Sequence, residues 1–211
     1  LFTLDEHENS EWCCGKDHEM ENHRVWMPTE EDGLFAQHMI DHLAMNEDGT
    51  VLDRIGVGDP VDEYYATMMN RLEEEGYEVV PFGYDWRLDN SVNARLLEIK
   101  IDNLLEQNQN ATISIVAHSM GGLVASKYLI NGNSRKIHKM ITLGTPYLGA
   151  PKTAHIFGTG RIIGGIGGEI IDDNLLAIIN NLAAPYLLFP SPLWFDLVIR
   201  SYLKVTWDYS W

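Results

Sequence analysis

Cysteine is nearly absent from the 211-residue sequence, and the two present, Cys13 and Cys14, are adjacent. Neighbouring cysteines form only a strained disulfide with each other and offer no spacing that suits a metal ion. Cysteine usage therefore leaves the compartment open. Basic residues are also scarce, with 15 Lys and Arg against 31 Asp and Glu and a formal net charge of -16. Nucleic acid needs a basic face, so it is excluded as a partner, and the same balance gives no attraction to an anionic membrane. The deficit is concentrated in residues 1–50, which hold 13 acids and 2 bases. Long apolar runs are missing too. The richest stretch, "PYLLFPSPLWFDLVIRSYL", is interrupted by prolines, an Asp and an Arg, so no membrane span is expected. The opening "LFTL" has neither an initiator Met nor the features of a signal peptide, and the sequence is expected to start inside a longer protein.

What remains is ordinary for a globular domain: 45% hydrophobic and 22% charged residues, with no internal repeat. Residues 1–50 read as an acidic irregular insertion, a membrane-contacting or lid segment, with one short helix near Leu34 to Met45. Residues 51–150 have a sharper pattern. Asp59 caps a helix with Pro60 in its first position; Val61, Tyr64, Tyr65, Met68 and Leu72 share a face, and Gly76 closes it. A strand is predicted at Glu78 to Phe82, then a helix over Ser91 to Gln107 and a strand over Thr112 to Ala117. A helix over Met120 to Ile130, stopped by Gly132, and a strand over Ile137 to Leu143 complete the pattern. Helices alternating with short apolar strands predict an α/β protein, its sheet mostly parallel and covered by helices on both faces. Residues 151–211 change style, to a glycine-rich loop, an apolar helix near Glu169 to Ala183 and an aromatic segment with prolines. They read as the start of a cap or lid over the sheet.

The stretch "IVAHSMGGLVA" sets Ser119 between a predicted strand and a predicted helix, in the frame small-x-Ser-x-Gly with Ala117 in the first small position. Small residues at 117 and 121 allow the sharp turn that lifts a nucleophilic hydroxyl to the C-terminal edge of a sheet. Met120 then offers a backbone N–H, at a helix N-terminus, to a developing oxyanion. His118 is adjacent to the serine on a tight turn and is expected to pack beside it rather than act as its base. In the α/β-hydrolase fold the chain order is serine, acid, histidine. Between Ser119 and His155 there is no Asp or Glu, and no His follows His155. The acid and base are therefore expected beyond Trp211, and the 211-residue piece alone is expected to be inactive.

Four blocks, "PFGYDWRL", "AHSMGGLVA", "ITLGTPYLGAPK" and "PYLLFPSPLWF", occur in an order that resembles the lecithin:cholesterol acyltransferase family, which includes lysosomal-type phospholipases A. "EWCCGKD" and "RVWMP" are weaker matches to that family's early region. The resemblance implies an α/β-hydrolase fold, incomplete here at both ends, that acts on the acyl ester of a lipid, with Ser119 at the position of the family's nucleophile. It also implies a lid disulfide, but no later cysteine is present to pair with Cys14, and a disulfide at Cys13 or Cys14 is left open.

Ser119 as nucleophile, with Met120 N–H at the oxyanion, gives an acyl-enzyme that water or a lipid alcohol resolves. His118, Thr145, Pro146, Tyr147 and Trp194 form the expected substrate-binding set. Thr145 and Pro146 shape the pocket. Tyr186, Phe189, Trp194 and Phe195 line an acyl groove, lie at a membrane or lipoprotein surface, or pack in a core. Asp85 and Arg87 precede the nucleophile and are expected to form a structural ion pair near it. No metal or cofactor is expected: His18 and His23 are five apart, His38 and His42 lack a third ligand, and the glycines at 158, 160 and 164 miss the dinucleotide fingerprint. The rival readings are a hydrolase fold that binds lipid or protein without catalysis, and a carboxylesterase or thioesterase with another ester substrate. Oligomeric state is open, and the compartment leans to secreted, lumenal or periplasmic.

Overall fold

The computed structural model describes residues 2–3, 43–46, 50, 55–60, 62–159, 161–163, 169–171, 179 and 181–208. Two compact units divide the chain, residues 1–85 and 86–211.

In the first unit, β1 (Phe2–Thr3) pairs antiparallel with β2 (Ile55–Gly56). Helix α1 (Asp62–Glu74) begins slightly after the predicted Asp59–Pro60 start. Its end follows the prediction. Gly76 has φ 88°, its N–H bonds to Glu73 O at 2.9 Å, and Tyr77 N–H bonds to Leu72 O at 3.1 Å. These two bonds make a Schellman stop, which needs a left-handed residue and therefore favours glycine. The half-buried stripe is Tyr65, Met68, Met69 and Leu72, while Tyr64, predicted on that face, is 65% exposed. Tyr64 lies about 100° around the helix from Tyr65, outside the i, i+3, i+4, i+7 stripe. Val61 lies outside the described residues.

The strand predicted at Glu78 to Phe82 is not formed: residues 77–85 join no ladder among the described residues. Pro81 removes a backbone donor from the middle of that run, and β-propensity alone does not make a strand without a partner. The segment is held by side chains and close backbone contact instead. The Phe82 and Tyr84 rings stack with centroids 6.2 Å apart, and a Cβ on Gly83 would overlap the Gly58 carbonyl. Burial, with a smaller contribution from Tyr65, pushes the Tyr84 hydroxyl up to about 12.

The second unit carries the predicted alternation. Helix α2 (Asn90–Gln107) is capped by Asp89, whose Oδ1 accepts from Ser91 N–H at 2.7 Å. Strand β3 (Ile113–His118) leads to α3 (Gly121–Tyr128), then a wide turn over Leu129–Asn133 with Gly132 at φ 100°, and β4 (Ile137–Leu143). β3 and β4 are parallel, Val116 opposite Ile141 and His118 opposite Leu143. Helix α3 buries Val124, Ala125 and Tyr128 against Ala94, Leu97 and Ile101 of α2. Each large apolar side chain in that layer contributes roughly 1.5–3 kcal/mol. The Lys136 Nζ to Asp102 Oδ1 ion pair, 2.6 Å and half exposed, adds little.

One face of the β3–β4 pair, with Ala117 and Thr142, turns inward, while Val116, Ile141 and Leu143 on the other are 38–45% exposed. The expected sheet covered on both faces is thus a two-stranded parallel pair among the described residues.

Beyond β4 the pattern departs from expectation. Pro151–Thr159 is a helix, α4, where a glycine-rich loop was predicted, and Gly158 lies within it. β5 (Arg161–Ile163) pairs antiparallel with β6 (Glu169–Ile171), so the helix predicted from Glu169 begins as strand. The paired isoleucines of each strand are β-branched and favour a pleated surface. Short helix α5 (Ala183–Leu187) and α6 (Pro192–Asp208) follow. Ser191 caps α6, with Trp194 N–H 3.2 Å from its Oγ and Pro192 in the first helical turn. No helix among the described residues is long and apolar enough to cross a membrane. The helix predicted near Leu34 to Met45 lies outside the described residues except at 43–45, where Leu43 and Met45 are buried.

Candidate active site

Ser119 follows β3 directly and has φ 51°, the only positive φ at a non-glycine among the described residues. A side chain in the left-handed region crowds its own carbonyl, so such a residue persists only where its surroundings impose it. Here they do so from two sides. Ser119 N–H bonds to Leu143 O at 2.8 Å, which ties the serine to the end of β4. Ser119 O accepts from Gly122 N–H at 3.0 Å, which starts the turn into α3. Met120 has φ -58° and ψ -26° and is buried, anchoring the turn from beneath. Its backbone N–H lies at the start of α3, where helix N–H groups lack acceptors within the helix and the dipole is positive. This is a strand-turn-helix elbow with a half-buried serine at its apex.

Gly122 makes a close approach. A Cβ there would overlap Oγ1, Cγ2 and Cβ of Thr145, so the first turn of α3 rests on that side chain. Thr145 Oγ1 is buried and has no hydrogen-bond partner among the described residues. One turn further along α3, Ser126 Oγ donates to Gly122 O at 2.7 Å and lies 3.4 Å from the Tyr147 hydroxyl. That hydroxyl donates to Thr142 Oγ1 at 3.3 Å. The hydroxyls of Ser126 and then Thr142 draw Tyr147 below the usual phenol range. Its ring remains 54% exposed.

The loop after β4 is fastened at its far end. Gly149 has φ 94° and lies against the Phe189 carbonyl, Ala150 N–H bonds to Leu188 O at 2.7 Å, and Ser191 N–H bonds to Leu148 O at 2.8 Å. The aromatic segment is thereby attached to the loop that carries Thr145, Pro146 and Tyr147. Phe157, Tyr186 and Phe189 form a ring cluster with centroids 5.0–6.3 Å apart. Trp194 meets Phe195 edge to face at 5.1 Å. Tyr186, Phe189 and Phe195 are 39–51% exposed, so the segment is only partly packed.

Of the residues predicted for the site, Ser119, Met120 and Thr145 come together around the elbow, and Tyr147 reaches Ser126 of α3. Trp194 sits in the first turn of α6. His118, expected to pack beside the serine, is exposed at the end of β3. Strand alternation turns it to the face opposite buried Ala117. Asp85 and Arg87 are buried, at 5% and 0% exposure. Arg87 O also accepts from Ala184 N–H at 3.4 Å, at the start of α5. Sequence reasoning missed the Gly122–Thr145 contact and the Gly149–Phe189 contact. The second glycine of "MGG" and the glycine of "YLGAP" were the available signals. No three His, Cys, Asp or Glu converge on a metal position among the described residues. His18, His23, His38, His42, Cys13 and Cys14 lie outside them.

An uncharacterized protein of Saccharomyces cerevisiae is 35% identical over 136 residues, covering 58% of this chain and 20% of its own. The phospholipase A(1) LCAT3 of Arabidopsis thaliana is 30% identical over 83 residues, covering 37% of this chain and 19% of its own. The chain spans about one fifth of the length of these curated relatives. No solved structure matches. The family model described as lecithin:cholesterol acyltransferase matches residues 49–206, well over half of the chain. The chain belongs to the lecithin:cholesterol acyltransferase family.

Proposed function

We propose that the protein is a serine-dependent acyl hydrolase or O-acyltransferase of lipid esters, with an α/β-hydrolase fold and an acyl-enzyme formed on Ser119. The observation that carries this reading is the left-handed Ser119 at the junction of β3 and α3. Strain at a serine in that position is the mark of a nucleophile elbow. Family membership and the phospholipase relative support a lipid ester as substrate.

In the first half-reaction Ser119 Oγ attacks the ester carbonyl and its proton passes to a histidine base, held by an acid, both following the serine in chain order. Met120 N–H donates to the oxyanion, and collapse expels the lipid alcohol, which takes the proton. The acyl-enzyme is then cleaved by water, releasing a fatty acid, or by a second lipid alcohol, forming a new ester. Thr145, Pro146 and Tyr147 border the elbow, and the exposed aromatic segment around Trp194 meets the acyl chains or the lipid surface. Asp85 and Arg87 act as buried structural charges.

Product analysis tests the substrate. Full-length protein given vesicles of a phospholipid with a labelled acyl chain should release labelled fatty acid or transfer the label to an added lipid alcohol, and Ser119→Ala should do neither. Turnover of short soluble esters with no action on the phospholipid would replace the lipid reading with that of a carboxylesterase.

A further inference from the structure

We propose that Thr145 is a positioning residue for the nucleophile, acting through Gly122. Its side chain is the stop on which the first turn of α3 rests, and it thereby sets the height of Ser119 Oγ and Met120 N–H above the strand ends. The inference rests on the reading of Ser119 as nucleophile. Three observations carry it. Gly122 approaches Thr145 so closely that no Cβ fits between them. The Thr145 hydroxyl is buried without a partner among the described residues, and an unpaired buried hydroxyl is a cost to the fold, so what Thr145 supplies is shape. The stop is itself fixed, because Leu143, two residues earlier, accepts from Ser119 N–H, while Leu148 and Ala150 are bonded to Ser191 and Leu188.

The elbow is thus held at two points near the start of one loop: by a hydrogen bond at Leu143 and by a van der Waals stop at Thr145. A nucleophile must be placed within a fraction of an ångström, and a displacement of about 1 Å costs on the order of a hundredfold in rate. Filling or emptying the space between Gly122 and Thr145 moves the elbow by that scale.

The test uses full-length protein, with the rate of fluorophosphonate labelling and the kcat and KM for 4-nitrophenyl butyrate as readouts. Thr145→Ala empties the stop, and labelling and kcat should fall about tenfold with KM little changed. Thr145→Val keeps the branched shape, and because the buried hydroxyl has no partner among the described residues its loss is nearly neutral, so the rate should stay within about threefold. Gly122→Ala should slow labelling about a hundredfold, and Thr145→Ala in that background should restore about tenfold, a non-additivity expected only of groups in contact. Loss in Thr145→Val equal to that in Thr145→Ala, or a double variant no faster than Gly122→Ala, would overturn the proposal. Wild-type protein that takes no label at Ser119 would instead overturn the nucleophile reading on which it rests.

Discussion

At the scale of single residues, Ser119 combines an exceptional backbone with the side chain proposed as nucleophile, and the two are separable. Ser119→Gly relieves the left-handed strain and removes the hydroxyl, so it should stabilise the protein by about 1 kcal/mol while abolishing turnover. Ser119→Ala should abolish turnover without that gain, and chemical denaturation of the two variants side by side measures the difference. Tyr84 supplies a second prediction. Its hydroxyl, at 10.0 in the usual case, is held at about 12, so the neutral form is favoured in the folded state. Stability associated with Tyr84 is present in full below pH 10.0 and is lost as pH rises through about 12. Phenolate absorbance in an alkaline titration should include a late component that Tyr84→Phe removes. Ser119 was legible in sequence because its motif is local. The Gly122–Thr145 contact was not, because it joins residues from separate elements whose register no local pattern fixes.

At the scale of elements, the caps carry the predictions. Asp89 is held below the usual carboxylate range, first by the Ser91 side chain and then by the Ser91 backbone N–H. Asp89→Ala should cost about 1 kcal/mol. Since the folded state depresses this carboxyl, its contribution is present above pH 3.8 and disappears as pH falls through the lower folded value, so the penalty of the variant should fade in acid. Gly76→Ala should cost about 1 kcal/mol, because φ 88° strains any side chain although open space surrounds the position. Denaturation midpoints of each variant check both. Periodicity located α2, β3, α3 and β4 well, since each has a continuous apolar face or run bounded by clear stops. It failed at Glu78 to Phe82, where a strand needs a partner that local pattern cannot supply, and at Glu169–Ile171, where pairing with Arg161–Ile163 makes a strand that the local pattern does not announce.

At the scale of the whole molecule, the family, the Ser119 elbow proposed as the nucleophile's seat and the parallel pair that leads into it form one account. The four motif blocks pointed to the family from sequence alone. What composition and motifs left undetermined was how the blocks meet: the loop after β4 touches α3 through Thr145 and the aromatic segment through Phe189. That loop ties the serine to the residues proposed to meet lipid, so damage at either contact should be felt at the nucleophile. Labelling the full-length protein with a fluorophosphonate and locating the adduct by peptide mass spectrometry tests the central claim most directly. The account predicts a single adduct on the peptide containing Ser119, absent from Ser119→Ala. An adduct on a different residue, or undiminished labelling of Ser119→Ala, would contradict it.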